Sequence, residues 1–328
     1  MTKKTRYFMA GSAAVLAAGL CTGLVAYYAG GFQALSAAPV ANELRYVPAD
    51  STVVAYADVR SIMDSDLRMR LKAAMPGHQK GQEEFLAHTG IDIEKDIDYV
   101  VAAAAGVNPE APAAGGLVVA RGRFNDTQLE ALARQHGGQV EEYKGKRLIS
   151  STPERGHQVT LAFLEAGLVA IGTKASVQKA IDAQMTSHSI TGNSEMMDLV
   201  SEISRQSNAW AVGRFDTIAR QANLPAEIAS KMPPVKWFAA SGHVNGGISG
   251  TLRAEATDEA SADLLRRQVS GALAFGEMIA KSDPKIGAMI NSLQLSGSGT
   301  TVALSFTVPA ELLALIPQIA GEADRRIQ

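Results

Sequence analysis

The chain has 328 residues, a formal net charge of -2, and side chains that are 46% hydrophobic and 20% charged. Such a composition can bury a core and excludes a disordered protein, and the near-neutral balance argues against a nucleic-acid partner, which needs a concentrated basic surface. A single cysteine, Cys21, excludes a disulfide framework and any cysteine-built zinc cage.

The first forty residues are uneven in charge. Lys3, Lys4 and Arg6 form a basic flank over residues 1–6, and no charged residue follows until Glu43. The run Tyr7–Gly31 is apolar and small, and as a helix rising ~1.5 Å per residue it is long enough to cross a ~30 Å hydrocarbon layer. A cleaved signal peptide has a shorter apolar core, and Leu20 before Cys21 does not suit a lipoprotein signal. The length therefore predicts an uncleaved transmembrane signal anchor over 7–31. The basic flank keeps its N-terminus inside, so the chain is expected in the cytoplasmic (inner) membrane as a single-pass protein with a periplasmic or extracellular ectodomain. Gly19 and Gly23 form a GxxxG pair, the spacing of a helix–helix contact within a membrane. Residues 32–42 are uncharged and small and read as a linker.

Beyond Glu43, strand and helix signals alternate. Thr52–Val59 alternates like a strand, and Leu67, Leu71 and Met75 recur at helical spacing. Tyr99–Gly106 and Gly116–Phe124 are apolar runs, followed by a helix through Leu129 whose start carries a capping pair, Asn125 and Gln128. Glu141–Tyr143, Arg147–Ser151, Gln158–Leu164 and Leu168–Gly172 read as a β-meander, closed by a helix over Ala175–Met185. The polar stretch Thr186–Ser194 reads as a boundary. A second half then repeats the order. Ala209–Phe215 is a strand; Lys236–Val244 and Ile248–Ala256 form a hairpin across Asn245-Gly246-Gly247. A long helix runs from Asp258 to about Lys281 with Thr257 as its cap, and Leu293–Ser296 pairs with Thr301–Val308 before a last helix opening at Pro309.

The fold class expected from this order is α+β: an N-terminal transmembrane helix, then an ectodomain of two duplicated β-α-β-β-α-type halves, 43–190 and 191–328, with antiparallel sheets. Gly122-Arg123-Phe124 and Gly213-Arg214-Phe215 are a local echo between the halves. The stretch Tyr46-Val47-Pro48-Ala49-Asp50-Ser51 with Tyr56-Ala57-Asp58-Val59, and Tyr143-Lys144-Gly145-Lys146 with Leu168–Gly172 and Val177–Asp182, resembles an uncharacterised class of bacterial membrane-anchored extracytoplasmic proteins. That resemblance covers mainly 43–185; it implies export and an α+β repeat and carries no catalytic residues.

Chemistry is sparse in the sequence. The histidines 78, 88, 136, 157, 188 and 243 are scattered, without HExxH or any other ligand spacing, so no metal and no cofactor is expected. Ser176-Val177-Gln178-Lys179 has the SxxK spacing that sets an amine one helical turn from a hydroxyl it can deprotonate, and Ser282-Asp283-Pro284-Lys285 repeats it. No SDN or KTG accompanies either, and a helix start is the favoured reading of Ser176. Asp92, Glu94, Asp96 and Asp98 alternate with other residues and share one face if extended; the glycine-bearing calcium loop is absent, which favours a solvated face. Asp66, Arg68, Arg70 and Lys72 read as a charged helix surface. The function expected is a non-catalytic, membrane-anchored binding or scaffold protein of the bacterial cell envelope, with a protein partner there. The alternatives are an envelope serine hydrolase using Ser176 and Lys179, and an accessory subunit of a larger membrane complex.

Overall fold

The structure is a computed structural model that describes residues 40–66, 68, 86, 90–105, 116–135, 137–151, 159–204, 207–217, 233–244, 247–280, 287 and 290–309. Its strands are β1 (Val53–Ala57), β2 (Ile97–Ala104), β3 (Gly116–Gly122), β4 (Gln139–Tyr143), β5 (Lys146–Ser151), β6 (Val159–Glu165), β7 (Leu168–Gly172), β8 (Ala209–Arg214), β9 (Val235–Val244), β10 (Gly247–Ala256), β11 (Gln294–Ser296) and β12 (Thr301–Pro309). The helices are α1 (Val40–Glu43), α2 (Val59–Met63), α3 (Ile93–Asp96), α4 (Asp126–Gln135), α5 (Lys174–Thr186), α6 (Ser194–Ile203) and α7 (Glu259–Ala280), with 3-10 turns at Leu44–Tyr46 and Ile190–Gly192.

All twelve strands join one sheet in the order β11-β12-β10-β9-β8-β1-β2-β3-β7-β6-β5-β4, and every neighbouring pair is antiparallel. One sheet thus serves both halves: β1 lies between β2 and β8, so its backbone groups hydrogen-bond to both halves of the chain. A strand buried on both faces needs apolar residues at every position, and β8 (AWAVGR) has them from Ala209 to Gly213.

The pairings repeat about the β1–β8 seam. Ala55 is opposite Ala211. From Ala55 the register runs through Ala102, Val118, Ile171 and Leu161; from Ala211 it runs through Ala240, Leu252, Leu304 and Leu295. Thus β1, β2, β3, β7 and β6 correspond to β8, β9, β10, β12 and β11, while β4 and β5 extend the first half alone.

One face of the sheet carries the larger core. α5 packs there on β3, β6, β7 and the turn 44–46, and α6 packs on β8 and β9. Leu148, Leu164, Leu168, Ile181, Ile190, Met196 and Trp210 are all fully buried, each contributing about 1.5–3 kcal/mol of transfer free energy. α2 packs on the opposite face, with Val59, Ile62 and Met63 against Ala57, Val100, Ala120 and Val169. α7 meets β10, β11 and β12 through Ala262 and Leu265, which pack on Ala256, Leu295 and Val302.

A correction concerns the membrane. Among the described residues no helix is long and apolar enough to cross one. Only α7 has the length, and it carries Glu259, Asp263, Arg266, Arg267 and Glu277, whose transfer into hydrocarbon is costly. The transmembrane element of the expected fold and the single-pass inner-membrane location are therefore withdrawn; residues 7–31, with Gly19 and Gly23, lie outside the described residues.

Smaller differences are instructive. The stretch Thr186–Ser194 is anchored on the first half: Ser187 adopts a left-handed conformation (φ 55°), Ile190 is fully buried and donates its N–H to the Val47 carbonyl at 2.8 Å, and Ser189 bridges Pro48. α6, unanticipated by periodicity, follows at once, capped by Asn193, whose side chain accepts from the Met196 N–H at 3.1 Å. Asp92, Glu94, Asp96 and Asp98 do not share one extended face, because Asp92 caps the short helix α3, accepting from the Glu94 N–H, and only Asp98 lies in a strand, β2. The cap of α7 is Asp258, accepting from the Ser261 N–H at 2.8 Å, instead of Thr257. The helix expected through Leu67, Leu71 and Met75 and the one after Pro309 lie outside the described residues.

Candidate functional site

A cleft of about 270 Å³ opens where β2 ends, β3 begins and α5 starts. Ala103, Ala104, Ala105 and Leu117 line it from the strands, Pro48, Asp50 and Ser51 from the segment entering β1, and Thr173, Ala175, Ser176 and Lys179 from the first turns of α5. Local chemistry builds these walls. Ser51 donates its N–H to the Pro48 carbonyl in a tight turn, and Thr52 then binds the Ala104 carbonyl through both N–H (2.8 Å) and hydroxyl (3.1 Å). A Cβ on Gly172 would stand 2.5 Å from the Gly116 carbonyl oxygen, so glycine allows β7 to bring α5 close to the start of β3.

Both members of the SxxK pair line this cleft, yet each is held by another residue. The Ser176 hydroxyl shares a 2.8 Å hydrogen bond with the hydroxyl of Thr173, the α5 cap, which also accepts from the Ser176 N–H. The Lys179 ammonium donates to the Asp50 carboxylate at 2.7 Å, and both side chains stay more than half exposed. Pairing with Asp50 holds the amine at the rim, and the hydroxyl sits in the cap, with Ser176 almost wholly buried. The second SxxK, Ser282 to Lys285, lies outside the described residues.

A buried polar cluster, missed by motif reading, flanks the same helix. Glu43 has a side chain 2% exposed, and its Oε1 accepts from Arg121 Nη2 at 2.6 Å and Nε at 3.2 Å, while Oε2 has no hydrogen-bond partner among the described residues. Glu165 accepts from the Tyr46 hydroxyl at 2.7 Å and pairs with Arg45. Burial, reinforced by Glu165, pushes the Tyr46 phenol up to about 12; burial also pushes Tyr99 up to about 12, with Glu43 adding and Arg121 opposing. The only sequence signal was an isolated charge, Arg121, within the apolar strand GLVVARG. This cluster clamps the segment 43–47 onto the sheet.

The remaining candidates are dispersed. Asp98 pairs with Arg60, Glu94 with Arg68, and Asp92 with Lys95, whose hydrogen bond holds the Asp92 carboxyl below its usual range. Among the described residues no group of three or more histidine, cysteine or acidic side chains is placed to hold a metal ion. Of the histidines only His188 and His243 lie in described segments. Asp66 is exposed, and Arg70 and Lys72 lie outside the described residues. Comparison of the chain with known protein families, curated proteins and solved structures found no match.

Proposed function

We propose that the protein is a non-catalytic binding or scaffold protein, with the cleft between Asp50 and α5 as its binding site. The observation that carries this reading is the separate engagement of Ser176 by Thr173 and Lys179 by Asp50 beside an inert alanine floor. A nucleophile needs its base within hydrogen-bond reach, whereas a recognition cleft needs an apolar floor and a few polar groups at the rim. The floor of Ala103, Ala104, Ala105 and Leu117 suits one compact apolar group, such as a side chain of a partner's segment. Asp50 and Lys179 supply a fixed pair of opposite charges for the polar end of that segment.

A serine-reactive phosphonate probe tests the reading against its rival. Absence of labelling at Ser176, together with a Leu117→Trp variant that folds but loses its bound partner, is the expected result. Labelling of the intact protein that disappears in Ser176→Ala would replace the binding reading with a hydrolase.

A further inference from the structure

The cleft beside α5 presents hydrogen-bond donors without acceptors. Lys174 and Ala175 open the thirteen-residue α5, where a helix leaves its first N–H groups unpaired. Neither N–H has a partner among the described residues, whereas the next one, of Ser176, is taken by the Thr173 hydroxyl. Ser51 adds an independent donor from the segment entering β1. It is only 6% exposed and lines the cleft, yet its hydroxyl makes no hydrogen bond to a described residue, although its N–H is bonded to Pro48. A buried hydroxyl is costly to leave unpaired, so it asks for an acceptor in the cleft. Lys179 brings an ammonium to the rim one turn further along α5. Free N–H groups at a helix start, an unengaged hydroxyl and a cation together suit an oxyanion.

Resting on the reading of this cleft as a binding site, we propose that its occupant is the C-terminal residue of a partner chain. The terminal carboxylate takes the α5 N–H groups and the Ser51 hydroxyl, and a small apolar side chain lies on the alanine floor. The floor decides against a bare inorganic anion. Ala103, Ala104, Ala105 and Leu117 offer nothing to a phosphate or sulfate, whereas they match a carboxylate that carries an apolar group of alanine to leucine size. Volume decides the extent of the occupant. About 270 Å³ falls below the ~300–1,000 Å³ of sites for drug-sized ligands, which leaves room for one residue and not for a folded element. The rim decides the rest. A C-terminal residue bears its carboxylate and an amide N–H on the same Cα, so the N–H can donate to Asp50 while Lys179 balances the Asp50 charge. The side chains of Lys179 and Asp50 are 57% and 56% exposed, so that end of the occupant faces solvent, where the preceding residues continue. A free amino acid would place its ammonium at the same exposed rim, where an ion pair contributes little.

Selection of a randomised hexapeptide library on the full chain, with the library made once as free acids and once as C-terminal amides, tests the assignment. Enrichment is expected from the free-acid library alone, with alanine, valine or leucine at the last position. The best free-acid peptide should bind about tenfold more weakly to Ser51→Ala, whose circular-dichroism melt stays unchanged, because a hydrogen bond to a charged group is lost. Lys179→Met should weaken it about two- to fivefold, and less in high salt. Equal enrichment from the acid and amide libraries, lost in Leu117→Trp, would overturn the carboxylate assignment and leave the cleft as a binding site. Enrichment from neither library, or enrichment indifferent to Leu117→Trp, would overturn both. Displacement of the peptide by free valine at equal concentration would overturn the partner terminus in favour of a free amino acid.

Discussion

Tyr56 stacks on Trp210 across the β1–β8 seam, with ring centroids 5.8 Å apart and planes inclined by 22°. Tyr99 meets Tyr56 from the other side at 5.9 Å, so three aromatic rings on three adjacent strands cross the junction of the two halves. Trp210 is fully buried there and Tyr56 nearly so.

Because the largest core spans that junction, the halves are expected to melt together. Near- and far-ultraviolet circular dichroism of the protein should report one coincident transition. Trp210→Ala, which removes the central ring, should cost about 3–5 kcal/mol while leaving that single transition intact. Two separated transitions in the wild type would show that the continuous sheet does not couple the halves.

Breaking the Glu43–Arg121 pair should be costly from either side, because each truncation leaves its partner's charge uncompensated near the core. Arg121→Leu is expected to lose about 3 kcal/mol in urea denaturation, and the double variant with Glu43→Leu less than the sum of the two. Additive losses would mean that the pair is not coupled.

Alkaline titration supplies a test of sign. Tyr46 and Tyr99, at about 12, lie above the ordinary phenol near 10, so the folded state favours their neutral forms. Their contribution to stability is complete below pH ~10 and is lost as pH rises from there toward 12. Ultraviolet phenol titration should show late ionisation, and Tyr46→Phe should flatten the loss of stability in that interval. Ionisation of every tyrosine near pH 10 would contradict the burial described.

Two glycines should respond oppositely to alanine. A Cβ at Gly122 would lie 2.0 Å from the Asp96 carbonyl oxygen, so Gly122→Ala must move backbone and should cost about 1–3 kcal/mol. Gly192 has open space and an ordinary φ, so Gly192→Ala should raise stability by about 0.4–1 kcal/mol. Thermal melts of the two variants read the difference directly.

Much of the local architecture follows from the sequence alone. Alternation in Thr52–Val59 and the meander from Glu141 onward sufficed to place β1 and β4 to β7 within a few residues, since a half-buried strand must alternate. The pairing of β9 with β10 was equally legible, because the Asn-Gly-Gly between the two runs is a favoured hairpin sequence. Assembly is another matter. β1 and β8 are more than 150 residues apart, and their side-chain patterns permit pairing without specifying it, so only the tertiary structure joins the halves into one sheet. Periodicity likewise did not show that Leu117 and Val119 lie buried beneath α5 while their counterparts about the seam are Thr251 and Arg253, the latter paired with Glu255 and with Glu202 of α6. The SxxK spacing was visible from the start. Its partners were not, because Asp50 reaches Lys179 across 129 positions of sequence, and a contact at that separation is made by packing and not by local pattern.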